Sequence, residues 1–171
     1  MISCNKMSHK EQASALFLEG YNCAQSVFAA FCDTTGMVRE DALRLSSSFG
    51  GGMGRLREVC GAVSAMFMVA GLLAGYTSPT DDGQKQAHYA RIQDLAARFR
   101  QRTQGESILC RDLLLKLSAE KKAANDTAPT PTARTEAFYA ARPCLRLVEC
   151  AAEILDEWIA EEGLPCTAGP K

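Results

Sequence analysis

The chain has 171 residues, 47% hydrophobic and 23% charged, with a net charge of −1. That length carries one core of its own, and the composition is that of a globular domain. The near-neutral charge excludes the electrostatic footprint of a nucleic-acid or anionic-membrane binder, and "MISCNKMSHKEQ" has none of the apolar character of a secretory signal.

Ser8, with Glu11 three residues on, forms a capping box that opens a first helix ending at Gly20. Asn22 caps a second helix, Cys23 to about Thr34, closed by Gly36. Val38 to Ser47 forms a third. The glycine-rich "SFGGGMGRLREVCGA" follows and leads into a long apolar helix from about Gly54 to Gly75. Val59 to Thr80 carries no charge. Small residues such as Gly61, Ser64, Gly71 and Gly75 dilute it, so it reads as a central buried helix, not a membrane span.

Gly83 to Arg102 is amphipathic through Tyr89, Ile92, Leu95, Ala96 and Phe99, and Asp81 and Asp82 suit its cap. Gly105 separates it from a helix over Glu106 to Lys122, whose end "EKKAAND" reads as solvated. "NDTAPTPTA", Asn125 to Ala133, is the core of a mobile linker over about 123–133. A short helix at Glu136 to Ala141 and a last one at Pro143 to Glu161 complete the chain. No alternating β-branched run predicts a strand. The expected fold is all-α: one domain over 1–171, a bundle of about seven or eight helices around the central apolar one.

Cysteine is the compositional outlier, with Cys4, Cys23, Cys32, Cys60, Cys110, Cys144, Cys150 and Cys166. Without an export signal this points to a reducing compartment, the cytoplasm, where cysteines serve metals or catalysis more than cross-links. Cys23, Cys60, Cys110 and Cys144 each fall near a predicted helix N-terminus, on or beside its apolar face. Cys144 shares a stripe with Val148, Ala151, Leu155 and Trp158; Cys32 is out of phase with Cys23, and Cys150 lies at the edge of its helix stripe. Helix N-termini favour thiolates, and four inward thiolates need positive charge between them, such as a metal or an iron–sulfur cluster. The intervals of 37, 50 and 34 residues contain no C-x-x-C, so only the fold can assemble such a site. Plain core packing of the four remains the alternative.

"GYNCAQSVF", "FGGGMGR" running into "EVCGAVSA", "GESILCRDLL" and "RPCLRLVECAAEIL", in this order, resemble the C_GCAxxG_C_C family of redox-active four-cysteine proteins. The resemblance covers roughly residues 8–160 and carries the family cysteines onto Cys23, Cys60, Cys110 and Cys144. One departure is Ala65, where the family pattern has glycine; it bears on helix packing more than on chemistry. A similar domain occurs fused to a multihaem cytochrome in anaerobic bacteria, where an iron–sulfur centre has been proposed. The resemblance therefore implies iron–sulfur ahead of zinc as the group held by the four cysteines. No C-x-x-C-H for c-type haem is present.

The glycine run matches neither G-x-G-x-x-G nor the P-loop pattern. Tight backbone approach beside Cys60 is its preferred role, and anion binding with Arg55 stays open. His9, His88, Asp33, Glu40 and Asp41 read as surface or helix-end residues. No Ser/His/Asp or paired-carboxylate arrangement supports hydrolysis, so an electron-transfer or redox-sensing protein is expected ahead of a substrate-turning enzyme. Its expected partner is another redox protein, with no nucleic acid and no membrane, and a homodimer is left open. Metal-free thiol–disulfide chemistry and a structural zinc module are the competing readings.

Overall fold

In a computed structural model the described residues are 7–164; Cys4 and Cys166 lie outside them. The protein is all-α. The helices are α1 (His9–Leu18), α2 (Cys23–Ala30), α3 (Cys32–Thr35), α4 (Arg39–Ser46), α5 (Gly61–Ala74), α6 (Asp82–Thr103), α7 (Cys110–Leu117), α8 (Glu136–Ala141) and α9 (Cys144–Glu161). Short 3₁₀ turns cover Ser47–Phe49 and Lys121–Ala124.

Local chemistry sets the first boundaries as expected. Ser8 and Glu11 form the capping box of α1, and Asn22 accepts from the N–H groups of Ala24 and Gln25 at 3.0 Å to start α2. Asp81 caps α6 by accepting from Gln84 N–H. The predicted second helix is two: the backbone leaves the helical region at Phe31, and Cys32 starts the separate turn α3, closed by Gly36 in the left-handed conformation. That break raises the number of α-helices among the described residues to nine.

α5 is the centre of the bundle. Its first turns bury Ala62, Val63, Ala65, Met66, Val69 and Ala70 completely. α2 packs along one side of it, α6 and α9 along others, and α1 bridges α2 and α9. Val27, Phe28, Phe17, Leu95, Phe99, Val148, Leu155 and Trp158 fill the spaces between. Ala65 is fully buried in α5, so its methyl is accommodated. No helix among the described residues is long and apolar enough to cross a membrane. The first half of α6 extends past the core: Tyr89, expected inside, is 53% exposed and its hydroxyl meets that of Tyr76 at 2.9 Å.

His9 is not a surface residue. Its side chain is 15% exposed and stacks on Phe31 with ring centroids 4.1 Å apart. Its Nδ1 lies 2.5 Å from an Asp156 carboxylate oxygen and its Nε2 lies 3.0 Å from one of Asp33. α1, α3 and α9 are thus joined through one imidazole. Burial pushes the His9 pKa down, but the two carboxylates, Asp156 first, outweigh it and leave the pKa raised. A raised folded-state pKa stabilises the fold fully below the unfolded value of about 6.5, and the contribution disappears as pH rises through the folded value. The stability gap between wild type and His9→Gln should therefore be widest below about pH 6 and narrow as pH rises through the raised His9 pKa. Urea unfolding at a series of pH values measures it, and a gap independent of pH would refute it.

Candidate redox site

Two predicted helix starts are displaced, and the displacement builds the site. The central helix begins at Gly61, not Gly54, so Cys60 is its N-cap. The later helix begins at Cys110, not Glu106. The segments ahead of both are extended and pair antiparallel, with an isolated bridge between Val59 and Leu109. Cys60 N–H donates to Ile108 C=O at 2.8 Å, Cys110 N–H to Glu58 C=O at 2.6 Å, and Arg111 N–H to Arg57 C=O at 3.2 Å. This pairing sets Cys60 and Cys110 side by side although 50 residues separate them.

The glycine loop makes room for that pairing. Gly51, Met53, Gly54 and Arg55 have φ of 65°, 61°, 60° and 71°, Gly52 has 73°, and Arg57 follows at 62°. Five consecutive residues, 51–55, are therefore left-handed. Glycine accepts this freely, whereas each L-residue there costs about 1–2 kcal/mol. Met53, Arg55 and Arg57 hold such strain, which persists only where surrounding contacts over-determine the backbone. Arg55 supplies them: its guanidinium reaches Ala128 C=O at 2.5 Å, Thr132 Oγ1 at 2.9 Å and the Asp126 carboxylate at 2.8 Å. Arg57 Nε donates to Asp126 C=O at 2.9 Å. The segment read as a linker is thereby tied to the loop, and its Pro129, Pro131 and Thr132 line the site. The predicted solvated end of "EKKAAND" also turns inward, burying Ala123 and Ala124, while Glu120 pairs with Arg142 at 3.2 Å.

All four singled-out cysteines line one cavity of about 470 Å³. Cys23, Cys110 and Cys144 are the first residues of α2, α7 and α9, and Cys60 caps α5. A methyl at Gly61 would lie 3.2 Å from Cys23 Cβ, and one at Gly52 would lie 2.6 Å from Cys110 Cβ. The glycines therefore pack around the cysteines. Cys32 and Cys150 are half-buried thiols outside this cavity; burial raises the pKa of both, that of Cys150 to about 11. None of the six described cysteines is in a disulfide.

The four thiols do not ionise alike. A hydrogen bond from the Cys144 thiol brings Cys23 down to about 7 against its burial, helped by Arg134, its own helix-start N–H and Arg57. Donating that hydrogen bond, together with burial and the neighbouring thiols, pushes Cys144 well up. Burial, Cys23 and Cys110 push Cys60 up, opposed by the free N–H groups of Ala62 and Val63. Burial also raises Cys110, opposed by Arg57, whose Nη1 lies 3.9 Å from Cys110 Sγ. The site can thus keep one thiolate near neutral pH beside three protonated thiols. Among the described residues, no group of three or more Cys, His, Asp or Glu side chains is drawn together closely enough to hold a single metal ion.

The helix-start cysteines around one cavity define the class: an all-α four-cysteine domain. The family described as "Putative redox-active protein (C_GCAxxG_C_C)" matches residues 21–158, and the chain belongs to it. No curated protein and no solved structure matches the chain.

Sequence reasoning selected the four cysteines through helix starts. It missed Arg57, Arg134 and Arg142, which also line the cavity. The "GRLR" run after the glycines was the available signal for Arg57, and "RPC" that for Arg142; Arg134 had none. Two measurements follow. Gly52→Ala meets Cys110 Cβ and the Glu58 backbone in addition to its left-handed φ, whereas a methyl at Gly54 finds nothing nearer than 3.8 Å. Urea unfolding should rank Gly52→Ala below Gly54→Ala by about 1–3 kcal/mol, and equal losses would contradict this packing. In reduced, metal-free protein, Cys23 should label with iodoacetamide with a midpoint near pH 7. Cys144→Ala should move that midpoint upward, as read by peptide mass spectrometry; an unmoved midpoint would reject the Cys144 hydrogen bond.

Proposed function

We propose that the protein is a redox protein in which Cys23, Cys60, Cys110 and Cys144 bind an iron–sulfur cluster, serving electron transfer or redox sensing. The observation that carries this reading is the convergence of four helix-start cysteines on one cavity. The residues suit such a group. The four thiols line one cavity of about 470 Å³, which has room for a multi-atom inorganic core. Four helix N-termini and the arginines of the wall offset the negative charge of bound thiolates. Arg57 Nη1 lies 3.9 Å from Cys110 Sγ, an N–H directed at a ligand sulfur. When bound, the cluster supplies one-electron exchange.

The chain's own residues prepare for this. Cys23, ionised near neutral pH, is the first thiolate available for ligation. Arg57, at Cys110 Sγ, favours the second. Pro129, Pro131 and Thr132, held by Arg55, wall the site and limit water, which bears on potential as burial and hydrogen bonding do.

A second reading rests on Cys23 and Cys144 lining one cavity, where each shifts the other's ionisation, Cys23 down and Cys144 up. A Cys23 thiolate beside a protonated thiol suits a dithiol–disulfide couple, in which the pair loses two electrons and two protons on forming the S–S bond. Anaerobic purification should give coloured protein containing iron and acid-labile sulfide. Serine at any of the four positions should abolish both, whereas Cys32→Ser and Cys150→Ser should leave them. Iron-free protein with four titratable thiols would overturn the cluster, and a reversible Cys23–Cys144 disulfide would select the second reading. Stoichiometric zinc without a redox response would select a structural metal module.

A further inference from the structure

The cavity wall carries charge of one sign. Arg55, Arg57, Arg134 and Arg142 line it, with no Asp, Glu, Lys or His. Two of the four are neutralised, Arg55 by Asp126 at 2.8 Å and Arg142 by Glu120 at 3.2 Å. Among the described residues, Arg57 and Arg134 pair with no carboxylate. Arg57 is 3% exposed. It donates through Nε to Asp126 C=O and through Nη1 to Gly51 C=O, while its Nη2 is buried without a partner. Arg134 donates through Nη2 to Tyr21 C=O at 3.1 Å, and its Nη1 is likewise buried and unpartnered. Its guanidinium lies over the Phe17 and Phe138 rings, 4.6 and 4.7 Å from their centroids, which fixes its plane.

A buried N–H without an acceptor is rare because it forfeits its hydrogen bond to water. A buried guanidinium without a counter-ion is less favourable still. Arg57 is such a buried guanidinium and Arg134 a half-buried one; each has an orphan N–H in the wall of one cavity, and together they describe a place for an acceptor carrying negative charge. The guanidinium fork matches oxyanion geometry, and after the Cys23 thiolate offsets part of their charge the two arginines keep a positive surplus that suits an anion. The space of about 470 Å³ is in the range of small-molecule sites.

We infer that the thiol cavity contains a subsite for a small oxyanion, bound by Arg57 Nη2 and Arg134 Nη1 beside the four cysteines. The proposed subsite uses side chains, not the glycine-loop backbone or Arg55. Its place among the thiols makes a small inorganic oxyanion a ligand of the redox site.

Calorimetric titration of the reduced, metal-free, full-length chain tests this apart from the cluster, whose presence iron and sulfide analysis decides. Inorganic sulfate and phosphate should bind saturably at one per chain. Acetate and chloride at matched ionic strength should not. Arg57→Gln and Arg134→Gln should each weaken sulfate binding about tenfold or more, with helix content unchanged by circular dichroism, while Arg98→Gln on the surface should leave it intact. If Arg57→Gln fails to fold, Arg134→Gln and Arg57→Lys, which keeps charge without the fork, carry the comparison. No saturable sulfate binding, equal binding in the folded arginine variants, or acetate and chloride matching sulfate would overturn the subsite.

Discussion

Three backbone hydrogen bonds between residues 57–60 and 108–111 hold the starts of α5 and α7 side by side, and the site is assembled around them. Both segments are extended where a helix would otherwise run. Had α5 begun at Gly54, Cys60 would lie in its second turn with its N–H inside the helix ladder. As an N-cap it stands ahead of the free N–H groups, and its own N–H is spent on Ile108. The same pairing brings Arg57 to Cys110. Position and electrostatics therefore come from one contact.

That contact depends on a backbone that most sequences avoid. Left-handed residues are tolerated singly, and a run of five is costly unless glycine carries most of it. Gly51, Gly52 and Gly54 do so here, and Gly52 also lets Cys110 approach closer than any side chain would allow. The strain left at Met53, Arg55 and Arg57 is offset by the arginines' bonds to residues 126–132. Loop, strap and cysteines form one mechanical unit, and a change in any of them reaches the other two.

Within the cavity, burial and local charge compete for each thiol. Burial alone disfavours every thiolate. Cys23 escapes because Cys144 donates to it and Arg134 lies near; Cys60 and Cys110 do not escape, because neighbouring thiols add to the burial. The wall meanwhile holds two guanidiniums beyond those matched by carboxylates. A site with one ready thiolate and surplus positive charge is prepared for an electron-rich guest, whether sulfide-bridged iron or an oxyanion.

The sequence by itself determined the all-α character, most of the helices and the choice of the four cysteines that line one cavity. Capping residues, glycine stops and 3.6-residue apolar stripes are local signals, and Ser8, Asn22, Asp81 and the Val148–Trp158 stripe act where their chemistry places them. It also marked the glycine run as unusual. Only the tertiary structure decided that Cys60 and Cys110 sit one residue ahead of or at their helix starts, because the pairing of 57–60 with 108–111 overrides helix propensity on both sides. It decided that His9 is a buried tie between two carboxylates, and that the proline-rich segment is a wall of the site. It supplied Arg134 and Arg142 as well. These features are contacts between residues about 20 to 150 positions apart, and no local propensity encodes which distant backbone or charge a residue will meet.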